Sequence, residues 1–329
     1  MNKILLIFSL ILNLILTFIV VNCKVKYKRY LYQPFEEKSV KEKVDIVITW
    51  VNSSDIKWQK DKEYYYKLNN NLGDNDGLRF PDKKYSELEL KTAILFILKN
   101  ISWKGNIYIV TTDGQVPDCY YNLVGMYNNI KIVYHSDIWP KNLLNTLPTF
   151  NSHAIECNIH RIKGLSNNFI YFNDDMYLVK ELDYNSMFYN NKMVIQPLES
   201  IVPIFNKKVW HQVWTKMYNL YDMHSPRHVC YALNKNVMNV AEDSVFDLWQ
   251  KTISTRFRST SDIAPVGYTI NFCLQHKLGY LANKKLNLYA HHNPKKVFNV
   301  KDNKVDIVCI NETSDIYKSI NNLINNYEI

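Results

Sequence analysis

The 329-residue chain has no G-x-G-x-x-G, no Walker A loop, no G-x-S-x-G elbow and no C-x-x-C pair. Those motifs need glycines or thiols at fixed offsets, so dinucleotide, P-loop, α/β-hydrolase and zinc readings fall away. The cysteines stand singly at 23, 119, 157, 230, 273 and 309. No basic stripe concentrates the charge either. Lys and Arg number 40 against 31 Asp and Glu, a net +9, but residues 1–43 alone carry eight basic and three acidic side chains. The small excess left on the body suits an anionic small substrate or a membrane surface, not a nucleic acid. Gly- or Ser-rich linkers and internal repeats are missing as well, so 44–329 reads as one catalytic body. What the chain does have is apolar residues, 47% of the total, enough for a substantial core and incompatible with disorder or a mini-protein. Trp210, Trp214 and Trp249 read as part of that core.

Residues 4–21 form an almost unbroken apolar run of 18, preceded by Lys3 and followed by Lys24, Lys26, Lys28 and Arg29. The run is long enough to span a bilayer and reads as a signal-anchor, with a signal peptide cut near Cys23 as the alternative. Residues 24–43 are a basic tether. The positive-inside rule taken alone leaves the body in the cytosol. The sequons at Asn52, Asn100 and Asn311, and five body cysteines compatible with two bridges and one free thiol, point to a lumenal body instead. Asparagine is abundant throughout, which weakens each sequon.

From residue 44 strands alternate with helices. VDIVITWV (44–51), NIYIVTTDG (106–114), NIKIVYHSD (129–137) and NNFIYFNDDMYLV (167–179) are apolar runs that end in polar loops, and 85–101 has helical spacing. The pattern predicts an α/β fold with a mostly parallel sheet over 44–200 and a mostly helical second half over 201–329. Ligands of such sheets sit outside the carboxyl ends of the strands. Polar residues gather there: Asn52 and Asp55, Asp113 and Gln115, His135 and Asp137, and Asn173 with Asp174 and Asp175.

Three sets of residues can carry chemistry. The adjacent carboxylates of FNDDM (172–176) suit Mg²⁺ or Mn²⁺ bridging a diphosphate, or else are solvated acids of a strand-end turn. The stretch 149–165 packs Asn151, Ser152, His153, Glu156, His160 and Arg161 together. On one continuous helix, 153, 156, 157 and 160 share a face, and Glu156 can then act as a base on an acceptor hydroxyl; a solvated helix face is the plain alternative. The third set is basic: His224 and Arg227, then Arg256 and Arg258 with Asp262. Guanidinium forks match phosphate oxygens, although such arginines also cap helices or pair with acids.

Taken in order, these blocks resemble the Stealth family of sugar-phosphate transferases. That family includes bacterial capsule-polymer phosphotransferases and the α/β subunit of the lysosomal-enzyme N-acetylglucosamine-1-phosphotransferase. DIVITWVNSSD is similar to the first conserved region. RFPDKKYSELELKTAILFI, IYIVTTDGQVPD, HSDIWP and LPTFNSHAIECNIHRIKGLSNNFIYFNDDMYL resemble the second, and HSPR with RFRSTSDI the third. The last block, VCINETSD, departs from the pattern with Glu312 in place of an Asp.

The resemblance implies a GT-A-like core that binds a UDP-sugar with a divalent cation and transfers sugar-1-phosphate to a hydroxyl of an acceptor glycan, releasing UMP. A metal-dependent glycosyltransferase or a non-catalytic sugar-binding relative is the alternative. By the same resemblance Asp175, with Asp174 beside it, is the metal and diphosphate carboxylate, Glu156 the essential acid, His224 the histidine of the HxP motif and Arg258 the phosphate-holding arginine. Asp45, Asn52 and Asp55 are expected near the nucleotide, and Asn151, Ser152, His160, Arg161 and Asn173 around the substrate. Either Glu156 or His224 can take the hydroxyl proton, and Glu156 is the choice here. The family places the body in the lumen, and Asn52 is expected to carry no glycan, because one there would block the site.

Overall fold

The computed structural model describes residues 42–68, 86–196, 199–201, 224–225, 229–259, 261–291, 293, 295–310 and 314–329. The apolar run 4–21, nearly all of the tether, Trp210, Trp214, Arg227, Asn311 and Glu312 lie outside the described residues. Among the described residues no helix is long and apolar enough to cross a membrane.

The first apolar run becomes β1 (Val44–Thr49), and it is buried on both faces, as a continuous Val/Ile strand must be at the middle of a parallel sheet. After α1 (Ile56–Leu68) and α2 (Ser86–Asn100) comes β2 (Lys104–Thr111), then α3 (Tyr120–Met126), β3 (Ile130–Tyr134), the short α4 (His135–Ile138) and α5 (Ser152–Glu156), and β4 (Asn168–Asn173). β1 pairs in parallel with β2 on one side, Ile48 beside Ile109, and with β4 on the other, Ile48 beside Phe172. β2 pairs in parallel with β3. α2 carries acids Glu87 and Glu89 in its first turn, where the helix dipole favours them, and buries Leu90, Ala93, Ile94 and Ile97 at helical spacing. The fold is the α/β type with a mostly parallel sheet that the sequence predicts.

The run 167–179 is not one strand. It breaks at Asp174 and Asp175 into β4 and β5 (Met176–Leu178), which belong to different sheets. The following strands are β6 (Phe188–Tyr189), β7 (Lys192–Ile195), β8 (Glu199–Ile201), β9 (His224–Ser225) and β10 (Tyr231–Asn234). After α6 (Lys235–Ser244), α7 (Phe246–Ser254) and α8 (Pro265–Gln275) come β11 (Tyr280–Leu281), β12 (Leu288–His291), β13 (Ile307–Ile310) and α9 (Ile316–Tyr327).

The second half, expected to be mostly helical, also supplies strands to the sheets. β10 runs antiparallel on β4, Tyr231 opposite Tyr171, and completes a five-stranded sheet of order β10-β4-β1-β2-β3. β13 pairs with β5 and with β12, so the far end of the chain anchors the strand that follows the Asp pair. Trp249 is fully buried, as expected of a core residue, and its indole N–H donates to the Cys157 carbonyl at 3.0 Å.

Two expectations change. All five body cysteines are free thiols in this structure, four of them buried in the core, so the two bridges do not form here. Asn100 is buried, and its side-chain amide donates to the Leu178 carbonyl at 2.7 Å. A glycan needs a surface asparagine, so the Asn100 sequon does not fit this fold.

Candidate active site

The carboxyl ends of the parallel strands converge on one edge of the sheet, and the loops there are tied to each other. The Gln115 side chain, following β2, accepts from the Asn52 N–H at 2.8 Å and donates to the Asn52 carbonyl at 3.0 Å. Asn52 Oδ1 accepts from the Ser54 N–H at 3.0 Å, closing a local turn. Asp55 caps α1, its Oδ1 accepting from the Trp58 N–H at 3.0 Å. After β3, the Ser136 hydroxyl donates to Asp113 Oδ1. Between these loops and Leu144, Leu147 and Pro148 lies a cleft of about 420 Å³, with Asp55, Asp113 and Gln115 in its wall.

A second group gathers around α5. Asn151 caps that helix, Oδ1 accepting from the His153 N–H at 3.0 Å. Its amide nitrogen reaches in the other direction, to Thr255 Oγ1 at 3.0 Å and Asp262 Oδ2 at 2.8 Å. Asp262 is fully buried and also accepts from the Ser259 N–H at 2.8 Å. Burial pushes its carboxyl above the usual range, against these donors and the Arg258 charge. The RFRSTSD loop is thereby fastened to α5, and the fastening brings the Arg258 guanidinium onto His153, with Nε donating to Nε2 at 3.2 Å. Because an arginine only donates, His153 Nε2 is the acceptor of this contact.

Glu156, the last residue of α5, faces the same place. The Tyr171 hydroxyl donates to its Oε1 at 3.4 Å and lies 3.0 Å from Thr49 Oγ1 at the end of β1. Desolvation raises the Glu156 carboxyl to about 7; Arg258 and Tyr171 oppose the rise without cancelling it. Tyr231 stacks on Tyr171 with ring centroids 6.2 Å apart, and its hydroxyl is pushed up first by burial and then by the charges of Glu156 and Asp175. The two carboxylates thus flank one aromatic pair.

Asp174 and Asp175 occupy the turn between β4 and β5, directly after Asn173, which itself sits beside Thr49 in the sheet. Asp175 is buried, and its Oδ1 has no hydrogen-bond partner among the described residues. A buried carboxylate oxygen without a donor fits a cation. No group of three or more acidic, His or Cys side chains able to hold a metal converges among the described residues. The residues present therefore fit an ion held by one or two carboxylates and completed by phosphate oxygens and water, the habit of Mg²⁺ rather than of a closed protein cage.

Some expected residues are elsewhere. Asp45 sits at the amino end of β1, four residues before its carboxyl end, about 13 Å along a strand. It accepts from the Asn106 N–H and the Ser166 N–H, both at 2.7 Å, and Gly105 leaves the room its carboxylate fills. It locks the opposite edge of the sheet, away from the loop of Asn52 and Asp55. His160 and Arg161 are also turned away. α5 stops at Glu156, and His160 lies in a separate 3₁₀ turn, Ile159–Arg161, so the face expected of one continuous helix does not exist. Glu242 of α6 takes both residues: Arg161 donates to its two oxygens at 2.5 and 2.7 Å, and His160 Nε2 lies 3.1 Å away. Burial lowers the His160 pKa, so the ring is neutral and donates.

His135 is buried with both ring nitrogens unpartnered among the described residues, and burial lowers its pKa to about 4. Asp137 only caps α4, accepting from the Tyr134 N–H at 2.8 Å. Ser152 opens α5, half-buried. His224 is described by its backbone alone, in β9 opposite Ile201.

Residues the sequence left unassigned join the cluster, namely Tyr171, Tyr231 and Thr49, and with them is His153, which the sequence grouped with Glu156 without giving it a role. Tyr171 and Thr49 carried a weak signal, being polar atoms on otherwise apolar strands next to the Asn173 turn; Tyr231 had none, because its strand was read as helix.

Residues 42–67 match conserved region 1 of Stealth proteins and residues 83–196 match conserved region 2. The capsular polysaccharide phosphotransferase fcs1 of Haemophilus influenzae is 30% identical over 316 residues, covering 86% of this chain and 83% of fcs1. The chain belongs to the Stealth family. Within that family, the capsular polysaccharide phosphotransferase SacB of Neisseria meningitidis serogroup A is 31% identical over 320 residues, 86% of this chain and 54% of SacB. LcbA of Neisseria meningitidis, a protein of the same description, is 38% identical over 151 residues, 45% of this chain and 38% of LcbA. This Stealth chain thus spans most of fcs1, about half of SacB and less of LcbA. Among solved structures, the galactosyltransferase LgtC with donor and acceptor sugar analogs aligns at 10% identity over 87% of this chain and 95% of LgtC, TM-score 0.44. The bifunctional glycosyltransferase WbbM aligns at 11% identity over 89% of this chain and 50% of WbbM, TM-score 0.46.

Proposed function

We propose that this Stealth protein transfers a sugar-1-phosphate, with N-acetylhexosamine-1-phosphate as the first candidate, from a UDP-sugar to a hydroxyl of an acceptor glycan. The observation that carries the reading is the cluster of Glu156, Arg258, Tyr171 and Asp175 at the carboxyl edge of the sheet, in a chain whose named relatives are phosphotransferases.

The acceptor oxygen attacks the phosphorus that bears the sugar. Its new bond to phosphorus forms as the bond from that phosphorus to the bridging oxygen of the diphosphate breaks, and UMP leaves. The acceptor proton passes to Glu156, whose carboxyl, raised to about 7, is partly ionised near neutrality and basic enough to take it. Tyr171 and Thr49 keep that carboxylate in place. Arg258, steadied by His153, holds the phosphate oxygens on which charge grows. Asp174 and Asp175 would hold Mg²⁺ or Mn²⁺, which when bound offsets the charge of the diphosphate. His224 remains the alternative base. The apolar run 4–21 anchors the chain and the body lies in the lumen, a placement supported by the Asn311 sequon; a glycan at Asn52 in active protein argues against the loop assignment.

The test is mass spectrometry of products from the full chain with UDP-N-acetylglucosamine, a hexose acceptor and Mg²⁺ or Mn²⁺, beside Asp175→Ala. An acceptor heavier by sugar plus phosphate, with UMP released and both lost in the variant, supports the reading. Sugar alone with UDP makes the protein a glycosyltransferase, and no turnover across UDP-sugars argues for a binding protein.

A further inference from the structure

The cleft between the loops after β1, β2 and β3 is poorly suited to the part of the donor that carries the charge. Asp55, Asp61 and Asp113 line it against a single lysine, Lys57, which lies 3.8 Å from Asp61 at the rim. A phosphate placed among these carboxylates meets net repulsion. The wall offers acceptors in excess, so its ligand must bring donors. Gln115 does not change that balance, because both ends of its amide are already used on the Asn52 backbone.

The rest of the wall is apolar. Leu144, Leu147 and Pro148 give it a surface that suits the C–H face of a ring. The Trp58 ring, 5% exposed, forms part of the same wall. Several carboxylate acceptors and an aliphatic face are complementary to an uncharged ring bearing adjacent hydroxyls. The volume, about 420 Å³, is within the range of small-ligand sites. Asp113 is the carboxylate placed to read such a pair. It is exposed at the end of β2, and the Ser136 hydroxyl and N–H hold its two oxygens in one orientation from one side.

We infer that this cleft binds an uncharged, hydroxyl-rich ring, with Asp113 accepting from two neighbouring hydroxyls, and that phosphate groups stay outside it toward Arg258 and the Asp174–Asp175 turn. The inference deepens the transferase reading, on which it rests for the two rings available: the ribose of the donor or a ring of the acceptor.

The test is direct binding to the full chain, by calorimetry and saturation-transfer NMR, of uridine, 2′,3′-dideoxyuridine, a methyl N-acetylglucosaminide and inorganic phosphate. Asp113→Asn keeps the shape and removes the charge; Leu144→Trp fills the cleft from an exposed position. One ring ligand is expected to lose at least tenfold in affinity in both variants, with inorganic phosphate failing to displace it from the wild type. If that ligand is uridine, and dideoxyuridine binds the wild type as weakly as uridine binds Asp113→Asn, the ring is the ribose. If it is the glycoside, the ring is the acceptor's. Affinities indifferent to both variants in an enzyme that still transfers sugar-phosphate overturn the inference alone, and a wild type that binds neither ring overturns it too. Ring binding lost in Asp113→Asn, in a chain with no phosphotransfer, keeps the inference and removes the transferase reading.

Discussion

The amide of Asn151 donates to the carboxylate of Asp262 at 2.8 Å across 111 residues of sequence. The same side chain caps α5 with its oxygen, so one asparagine fixes the helix that ends in Glu156 and the loop that carries Arg258. The base and the phosphate-holding arginine of the proposed reaction therefore share a single support.

Removing that support should cost both stability and activity. Asn151→Ala deletes a helix cap and strips donors from a buried carboxylate, and is expected to destabilise the fold by about 2–4 kcal/mol. Urea unfolding measures the loss; a midpoint within error of wild type would show that the link holds nothing together.

Transfer should rise with pH through about 7 and level off above it, because Glu156 accepts a proton only as the carboxylate. Rates across pH 5.5–8.5, with Glu156→Gln as an inactive control, give the profile. A flat profile, or a Glu156→Gln variant retaining most of its turnover, assigns the base elsewhere, with His224 next.

The same group makes a stability prediction of definite sign. The folded value of about 7 exceeds the unfolded 4.5, so the folded state keeps a proton the unfolded chain has released. That contribution is full below 4.5 and is lost as pH rises through about 7. Glu156→Gln should then match wild type in acid and exceed it by about 1–3 kcal/mol above neutrality. Denaturation midpoints at both ends of the range check it, and a variant weaker than wild type at high pH contradicts it.

Chelation should stop turnover, and Mg²⁺ or Mn²⁺ should restore it. In Asp175→Asn, Mn²⁺ binding in the presence of UDP, read by electron paramagnetic resonance, should fall at least tenfold, since the unpartnered Oδ1 loses its charge. Equal binding in wild type and variant removes Asp175 from the metal site.

Glu242 separates structure from chemistry. Burial opposes its ionisation, but His160 and Arg161 outweigh that and hold its carboxyl below the usual range. Glu242→Ala removes the partner of buried His160 and half-buried Arg161 and should destabilise by about 1–3 kcal/mol, while turnover per folded molecule stays within about threefold, less than 1 kcal/mol of barrier. A turnover loss far beyond the loss of folded protein would return His160 and Arg161 to the substrate.

The sequence by itself determined the sheet and its working edge. β1 and β4 are runs of Val, Ile and aromatics buried on both faces, β2 is buried over its second half and β3 is an edge strand, and the polar residues after them fall at their carboxyl ends because strand polarity follows chain order. It also singled out Glu156, Asp175 and Arg258. What only the tertiary structure decided was which polar residues meet. Asp45 and Asn52 are seven residues apart in sequence, yet β1 carries them to opposite edges of the sheet. His160 lies four residues beyond Glu156, but α5 ends first, and Glu242 offered it a buried partner from another element. Tyr231 reached Tyr171 only because β10 closes the sheet from the second half. Periodicity reports a residue's own element; its partners depend on long-range pairing, where one buried carboxylate or one edge strand outweighs local spacing.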